Sequence, residues 1–266
     1  MKSSLLRWMS GLFIAVSLSA CGGGGGDNNG SGSRLSASGN NSSPEGVYEG
    51  TSSTGMYFNT IILENNLFYT IYGGISGGAF LVNGFFTGTG QAKNGSFTAT
   101  DVRDFDTNGL DNIVTLNATY IPGQNFNGST ANGTSTATFT SAPPANTTYN
   151  YNTAANLSNI VGTWTMTSLT GDEVSVDIAA NGNYTASYDN GNCDFEGRVS
   201  PRASGKNVFD FSVTGGGGAS GFACDIVVPG TAAHAVEFLL PGGQRQLLIA
   251  GTDEIRENGT LLIGAR

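Results

Sequence analysis

The sequence predicts an all-β protein with two tandem small antiparallel β-barrel domains that follow a disordered tether. Charged residues make up only 12% of the chain, and 41 of its 266 residues are glycine. Short segments alternate apolar and polar residues between turn signals, a pattern typical of strands rather than helices. Two segments of about 100 residues each open with glycine and an aromatic residue, which suggests repetition of one unit.

Residues 1–20 have the anatomy of a secretory signal peptide, with a basic start and an apolar segment from Leu12 to Leu18. This segment is shorter than the roughly 20 apolar residues that a membrane-spanning helix needs. The segment ends in Leu18-Ser19-Ala20-Cys21, and five glycines follow. The alternative interpretation is an ordinary cleaved signal with a chance cysteine behind it.

The ending at Cys21 resembles the lipobox of bacterial lipoproteins. The resemblance implies cleavage before Cys21 and acylation of its sulfur. The acyl anchor would hold the protein on a membrane, which is therefore a predicted partner. Several acyl chains make a stable anchor, because each buried methylene adds about 0.8 kcal/mol of membrane affinity. Gly22 stands where an aspartate would imply retention in the inner membrane. The implied location is therefore the outer membrane, with the periplasmic face and the cell surface both left open.

Residues 21–44 are predicted to be a disordered tether, because glycine, asparagine and serine dominate and no apolar periodicity is present. Such a flexible coil has a root-mean-square reach of roughly 25–30 Å. The tether would hold a folded domain clear of the lipid headgroups.

Residues 45–141 are predicted to form the first domain, which opens with a strand at Gly46–Thr51. Phe58–Leu63 and Leu67–Tyr72 form a hairpin around Glu64-Asn65-Asn66. Further alternating segments bring the total to about eight short strands, which is typical of a small barrel or sandwich.

Residues 142–156 are predicted to be a linker, since two prolines are followed by asparagine, threonine and tyrosine. Tyr149 and Tyr151 are its candidates for packing between the domains. Residues 157–266 form the second domain, which opens with Gly162-Thr163-Trp164 and includes a predicted strand at Phe222–Val228.

Cys193 and Cys224 remain as a pair once Cys21 is assigned to lipid. A disulfide is the default for such a pair in an oxidising compartment. It would close a loop of about 30 residues and contribute roughly 3–4 kcal/mol in the chain-entropy model. A metal or redox pair is the alternative, but the chain has no Cys-x-x-Cys motif and only one histidine.

The charge of the chain argues against nucleic acid as a partner. Removal of residues 1–20 takes away two basic residues and no acid, so 9 basic and 20 acidic residues give a net charge of −11. Nucleic acids and anionic lipid headgroups repel a protein of this charge. The simpler interpretation of this negative charge is that it aids the solubility of the protein.

The search for catalytic chemistry predicts no enzyme. His234 lies in a strand-like segment, and no Gly-x-Ser-x-Gly elbow accompanies it. An ordinary strand or loop histidine is therefore expected. Asp253–Gly259 contains three acidic residues that could suggest glycosidase chemistry, but neighbours in a hairpin usually face solvent, so an exposed loop is expected. No cofactor is predicted.

Asp104–Gly109 matches the start of a calcium loop, with oxygens at positions 1, 3 and 5 and glycine at position 6. The twelfth position is Thr115 rather than glutamate, although Asp111 or Asp101 could complete a site. The other interpretation is an acidic turn between two strands. The sequence favours the turn and assigns no metal ligand.

The arrangement of lipobox, tether and two glycine- and threonine-rich β-domains resembles uncharacterised proteobacterial lipoproteins, with Gly191–Arg202 and Cys224 as the nearest echo. It is distantly similar to factor H-binding and transferrin-binding surface lipoproteins, which implies binding of a protein partner. Gly162-x-Trp164 also resembles the first-strand motif of lipocalins, which implies a lipocalin-like barrel. The expected function is a lipid-anchored, non-enzymatic protein- or surface-interaction module. A small-ligand carrier of lipocalin type and an envelope hydrolase are the alternatives.

Overall fold

The structure is a computed structural model that describes residues 43–77, 79–145, 148–188, 193–218, 231–240 and 242–266. Its regular elements are strands, apart from one short 3₁₀ helix at Leu157–Asn159. Within these ranges, no helix has the length and apolarity to cross a membrane. The signal peptide, Cys21, most of the tether, Cys224 and the strand expected at Phe222–Val228 lie outside the described residues.

The first domain contains nine strands: β1 (Gly46–Ser52), β2 (Tyr57–Ile62), β3 (Leu67–Ser76), β4 (Ala79–Thr89), β5 (Gln91–Lys93), β6 (Ser96–Asp106), β7 (Gly109–Ile121), β8 (Asn125–Ala131) and β9 (Thr136–Ala142). The second domain contains eight: β10 (Gly162–Ser168), β11 (Glu173–Ile178), β12 (Asn183–Tyr188), β13 (Cys193–Pro201), β14 (Phe209–Gly218), β15 (Ala232–Leu239), β16 (Arg245–Thr252) and β17 (Gly259–Ala265).

Both domains are closed antiparallel barrels of eight strands, which confirms the predicted fold class and settles the choice against a sandwich. In barrel 1, β1 pairs with β2 and β9, and pairing of β4 with β6 closes the wall. The short β5 adds to one end of β6. In barrel 2, β10 pairs with β17 and closes the circle.

Aromatic side chains fill the interior of barrel 1. Phe97 lies 5.8 Å from Phe68 and 5.3 Å from Phe126 between ring centroids, and Tyr48 lies 5.8 Å from Phe126. Each of these rings is at most 2% exposed. Contacts at these separations are the preferred tilted and edge-on arrangements of aromatic pairs, so the lumen is a packed core.

Barrel 2 is filled mostly by aliphatic residues around Trp164, whose side chain is fully buried. An internal cavity of about 20 Å³ lies among residues such as Val176, Tyr184 and Phe211. That volume holds about one water molecule. The described part of this lumen is therefore a core of the same kind as that of barrel 1.

The two barrels repeat the same opening strand at a separation of 116 residues. Tyr48 donates its hydroxyl to the carbonyl of Pro44 at 2.9 Å, and Trp164 donates Nε1–H to the carbonyl of Ile160 at 2.7 Å. Each donor reaches back four residues and is fully buried. The polar atom of the large ring thus finds a partner where the chain enters the barrel.

The repeat extends through the first three strands of each barrel. Ser52 and Ser168 end the first strands, and each bonds to a threonine hydroxyl two residues later, at 2.7 Å and 2.8 Å. The next turns place Asn66 and Gly182 at φ values of 62° and 84°, which asparagine and glycine tolerate best. These matched turns give geometric support to the repetition that the sequence suggested.

Candidate functional site

The outer walls of the barrels meet through apolar side chains, and we call this contact the joint. Barrel 1 contributes Tyr69, Phe85 and Phe105, and barrel 2 contributes Leu261 and Ile263, all at most 8% exposed. The rings of Phe85 and Phe105 stack at 5.0 Å. Burial of this surface favours association of the barrels, since each large side chain contributes roughly 1.5–3 kcal/mol when fully buried.

A row of ion pairs borders the apolar part of the joint. Arg202, in the turn after β13, bonds through Nε to Glu64 of barrel 1 at 2.8 Å and through Nη1 to Asp210 at 2.6 Å. The Arg202 side chain is only 11% exposed. Partial burial raises the pKa of Glu64, but hydrogen bonds from the backbone and from Arg202 outweigh burial and lower this pKa overall. The carboxylates of Glu64 and Asp210 in turn raise the pKa of Arg202.

His234 lies at the centre of this joint on the outer face of β15. Its Nδ1 is 2.9 Å from the hydroxyl of Tyr69, and its Nε2 is 3.4 Å from Oδ1 of Asp210. Burial, helped by the positive charge of Arg202, lowers the pKa of His234 to about 4. The imidazole is therefore neutral at physiological pH, and it serves here as a contact between barrels rather than as an isolated strand histidine.

The linker tyrosines pack into the joint. Tyr151 is 5% exposed and lies with Leu63 of barrel 1 and Val208 of barrel 2 in one apolar cluster, against which Tyr149 also packs. Its hydroxyl donates to Glu64 at 3.3 Å. This placement confirms the expectation that these two tyrosines pack between the domains.

Lys206 of barrel 2 extends the joint to the start of barrel 1. The ammonium group of Lys206 bonds to Glu45 at 2.9 Å and lies 4.9 Å from the ring centre of Tyr151. The chain therefore enters barrel 1 beside the joint.

The acidic loop after β16 also reaches across the joint. Arg256 donates to Asp101 at 2.7 Å and to the carbonyl of Thr87 at 3.0 Å. Asp253 accepts the backbone N–H groups of the turn and is 9% exposed. The expectation of a wholly exposed loop is thus correct for Glu254 but wrong for Arg256, because the guanidinium finds its acceptors on the other barrel.

A second surface lies at the end of barrel 1 that is remote from the chain entry, and we call it the distal surface. Tyr57 and Ile75 are 47% and 45% exposed there. They lie on the neighbouring strands β2 and β3, beside the outer half of β4. Single exposed apolar residues are common, but neighbouring ones at one barrel end are typical of an interaction site.

The outer half of β4 is a sheet edge within the distal surface. β4 pairs with β3 over its whole length, whereas its pairing with β6 covers only Gly84–Thr87. No strand in the described ranges pairs with Phe80–Asn83 on the side of β6. The backbone groups on this side are therefore available to an additional strand.

The Asp104–Gly109 motif forms the hairpin between β6 and β7. The carboxylate of Asp106 accepts the backbone N–H of Asn108 at 2.6 Å and its side-chain amide at 3.1 Å. This geometry supports the turn interpretation over the calcium loop. In the part of the chain that the structure describes, no three acidic, histidine or cysteine side chains converge on a point suited to a metal ion.

Asp104 lies just inside the distal end of barrel 1 and is 8% exposed. Tyr72 donates its hydroxyl to this carboxyl at 2.7 Å. Burial, helped by the nearby charges of Asp111 and Asp106, raises the pKa of Asp104 to about 6. Three carboxyl groups therefore lie at this end of the barrel.

Cys193 begins β13 and is 1% exposed, while its expected partner Cys224 lies outside the described residues. The disulfide between them stays a prediction, as does acylation of Cys21. Sequence reasoning did not find the distal surface. The isolated Ile75, between Gly74 and Gly77, was its only local signal.

No protein-family model and no curated protein matches the chain. Among solved structures, a protein of unknown function from the DUF3598 family of Nostoc punctiforme is 12% identical, with 83% of this chain and 93% of that chain covered and a TM-score of 0.26. Isotype 1 transferrin-binding protein B of Neisseria meningitidis is 10% identical over 80% of this chain, with a TM-score of 0.24. The chain spans about half (51%) of that protein.

Proposed function

We propose that this protein is a lipid-anchored outer-membrane lipoprotein that acts as a non-enzymatic protein-interaction module through the distal surface of barrel 1. The carrying observation is the pair of exposed apolar side chains, Tyr57 and Ile75, at one barrel end. Water-exposed apolar area of this kind is favourable to cover with a partner.

The position of the chain entry supports the distal surface as the interaction site. The tether would join at Ser43, beside the buried Pro44 and close to the joint. From there the seven residues of β1 lead to the opposite end of the barrel, a distance of about 20 Å. An anchor at Cys21 would therefore attach to the end of barrel 1 that is opposite the distal surface.

The barrel interiors favour interaction over carriage of a small ligand. Ligand sites usually measure about 300–1,000 Å³. The cavity inside barrel 2 measures about 20 Å³, and aromatic rings occupy barrel 1. A larger pocket of about 540 Å³ lies open on the outer wall of barrel 2, where polar residues such as Thr185 and Glu196 line it. The hydrolase alternative receives less support, because His234, Glu64 and Asp210 make contacts with one another or with Arg202 in the joint.

Site-specific photo-crosslinking in intact cells tests the proposal. A benzoylphenylalanine at Ile75 should give a discrete crosslinked adduct, whereas the same residue at Thr119, on the exposed wall of β7, should not. The adduct should weaken when Tyr57 is replaced by Asp, since a charge disfavours apolar contact. Equal adducts at Ile75 and Thr119, or none at Ile75, would contradict the proposal.

Protease treatment of intact cells addresses the location separately. Loss of barrel 2 from the cell, detected with a specific antibody, would place the barrels outside and point to an environmental or host partner. Full protection would place them in the periplasm and point to a partner in the cell envelope.

A further inference from the structure

We propose that the free edge of β4 at Phe80–Asn83 binds an extended, basic segment of the partner protein by strand addition. This inference rests on the proposed function and names the chemistry of the partner at the same surface. Strand addition to an exposed sheet edge is a recurrent mode of peptide recognition, in which main-chain hydrogen bonds give affinity and alternate side chains give specificity.

The backbone of the edge is arranged for such pairing. The carbonyl oxygen of Leu81 is directed at Gly73 of β3, within barrel 1. Because successive residues of a strand direct their backbone groups to opposite sides, Phe80 and Val82 present theirs to the free side. The four residues Phe80–Asn83 span about 14 Å, which is enough for several ladder hydrogen bonds.

The charges around the edge select a basic occupant. Asp106 pairs with Gly84 at the point where the β4–β6 ladder stops, and Asp111 lies in the same β6–β7 hairpin. In the described ranges, Arg103 and Arg256 form their ion pairs with Asp101, and no ion pair includes Asp106 or Asp111. Lysine or arginine side chains on an added strand would supply the missing positive charge.

Exposed apolar side chains lie beside the edge, with Ile75 of β3 paired with Phe80 and Tyr57 on the next strand, β2. An added strand with alternating basic and apolar residues would place the two types on opposite faces. A second copy of this chain fits less well, because edge-to-edge pairing would bring two acidic ends together. The chain as a whole carries a net charge of −9, which adds to that repulsion.

A labelled octapeptide of alternating lysine and valine is the probe, and fluorescence anisotropy with the complete chain measures its binding. Binding should weaken at least tenfold when the peptide is N-methylated at alternate residues on one edge, because two or more hydrogen bonds worth about 1 kcal/mol each are lost. A glutamate–valine peptide should not bind. Salt at about 0.5 M should also weaken binding, since the Debye length then falls below about 5 Å.

Variants of the protein complement the altered peptides. Val82→Pro removes an edge-facing N–H and should weaken binding at least tenfold. The Val82 side chain also packs against the apolar cluster of the joint, so Val82→Ala, which loses that packing but keeps the N–H, is the matched control and should bind within about twofold. Asp106→Asn should reduce both affinity and its dependence on salt. Circular dichroism confirms that each variant keeps its strands.

Each contrary outcome has a defined meaning. Binding that ignores N-methylation and Val82→Pro would overturn strand addition, and equal binding of the glutamate–valine peptide would overturn the basic partner. A concentration-dependent dimer that Val82→Pro abolishes would assign the edge to a second copy. If the peptide experiments fail but Ile75 still gives an adduct in cells, strand addition is wrong and the proposed function stands. If the peptide binds as expected but Ile75 gives no adduct in cells, the proposed function is wrong and strand addition stands.

Discussion

Neutral His234 in the joint makes the stability of the protein depend on pH. The pKa of this imidazole is about 4 in the folded chain, against 6.5 for an ordinary histidine. Between these values the unfolded chain binds a proton that the folded chain does not. Stability is therefore complete above pH 6.5 and is lost as the pH falls towards 4. The difference of 2.5 pKa units corresponds to a loss of about 3 kcal/mol, at about 1.36 kcal/mol per unit.

His234→Gln isolates this contribution, because glutamine keeps polar atoms in the joint but does not titrate. Urea unfolding of both proteins at pH 8, 7, 6, 5 and 4 gives the free energy of unfolding. We expect the variant to gain relative to the wild type as the pH falls, by up to about 3 kcal/mol at pH 4. Other titrating groups, including Asp210, Glu64 and Arg202 beside the imidazole, contribute to both curves and largely cancel in the difference.

Because the chain has a single histidine, its imidazole C–H signals in an NMR titration of untagged protein report this group alone. Tyr69→Phe is the control, since it removes the hydroxyl at Nδ1 but leaves the ring buried, so the low pKa should persist. Parallel stability curves for wild type and His234→Gln, or a midpoint near 6.5 in the folded protein, would refute the reasoning.

Three further predictions concern the joint and the cysteines. Gly259→Ala should destabilise the protein by about 1–3 kcal/mol in urea unfolding, because its Cβ would lie 2.5 Å from Cγ of Phe105. Gly74→Ala, which meets open space, should change stability by less than about 0.5 kcal/mol; equal effects would contradict this packing. Cys193→Ser should lower the unfolding free energy by about 3 kcal/mol, and intact-mass alkylation should find no free thiol at Cys224 in the wild type. Cys21→Ser should move the protein from the membrane fraction to the soluble fraction, and retention there would argue against acylation.

The barrels could be predicted from the sequence because their signals are local. Alternation with a period of two, and glycine before the first aromatic of each unit, need no knowledge of distant contacts. The alternation at the start of β6 covers only Ser96–Thr100, whereas the strand continues to Asp106. The pairing of β6 with β7 shifts between Ala99 and Val102, and such a bulge interrupts the alternation while the strand continues.

The joint could not be predicted because its partners are far apart in the chain. Tyr69 and His234 are separated by 165 residues. One signal was nevertheless present, since Leu67–Tyr72 is apolar or threonine at every position rather than at alternate positions. Strands that are buried on both faces have this composition. Leu261–Ile263 shows the same pattern, and both segments lie in the joint.

The two barrels share a plan but meet through different walls. Leu67, Tyr69 and Ile71 of β3 face the joint, whereas the residues 116 positions later are Asn183, Thr185 and Ser187. Barrel 2 instead offers β16 and β17, while the equivalent last strand of barrel 1, β9, exposes threonines. A contact between unlike faces can propagate along a series of repeats unless one face is missing. Here each barrel keeps one of the two apolar walls, so the contact joins one barrel of each kind.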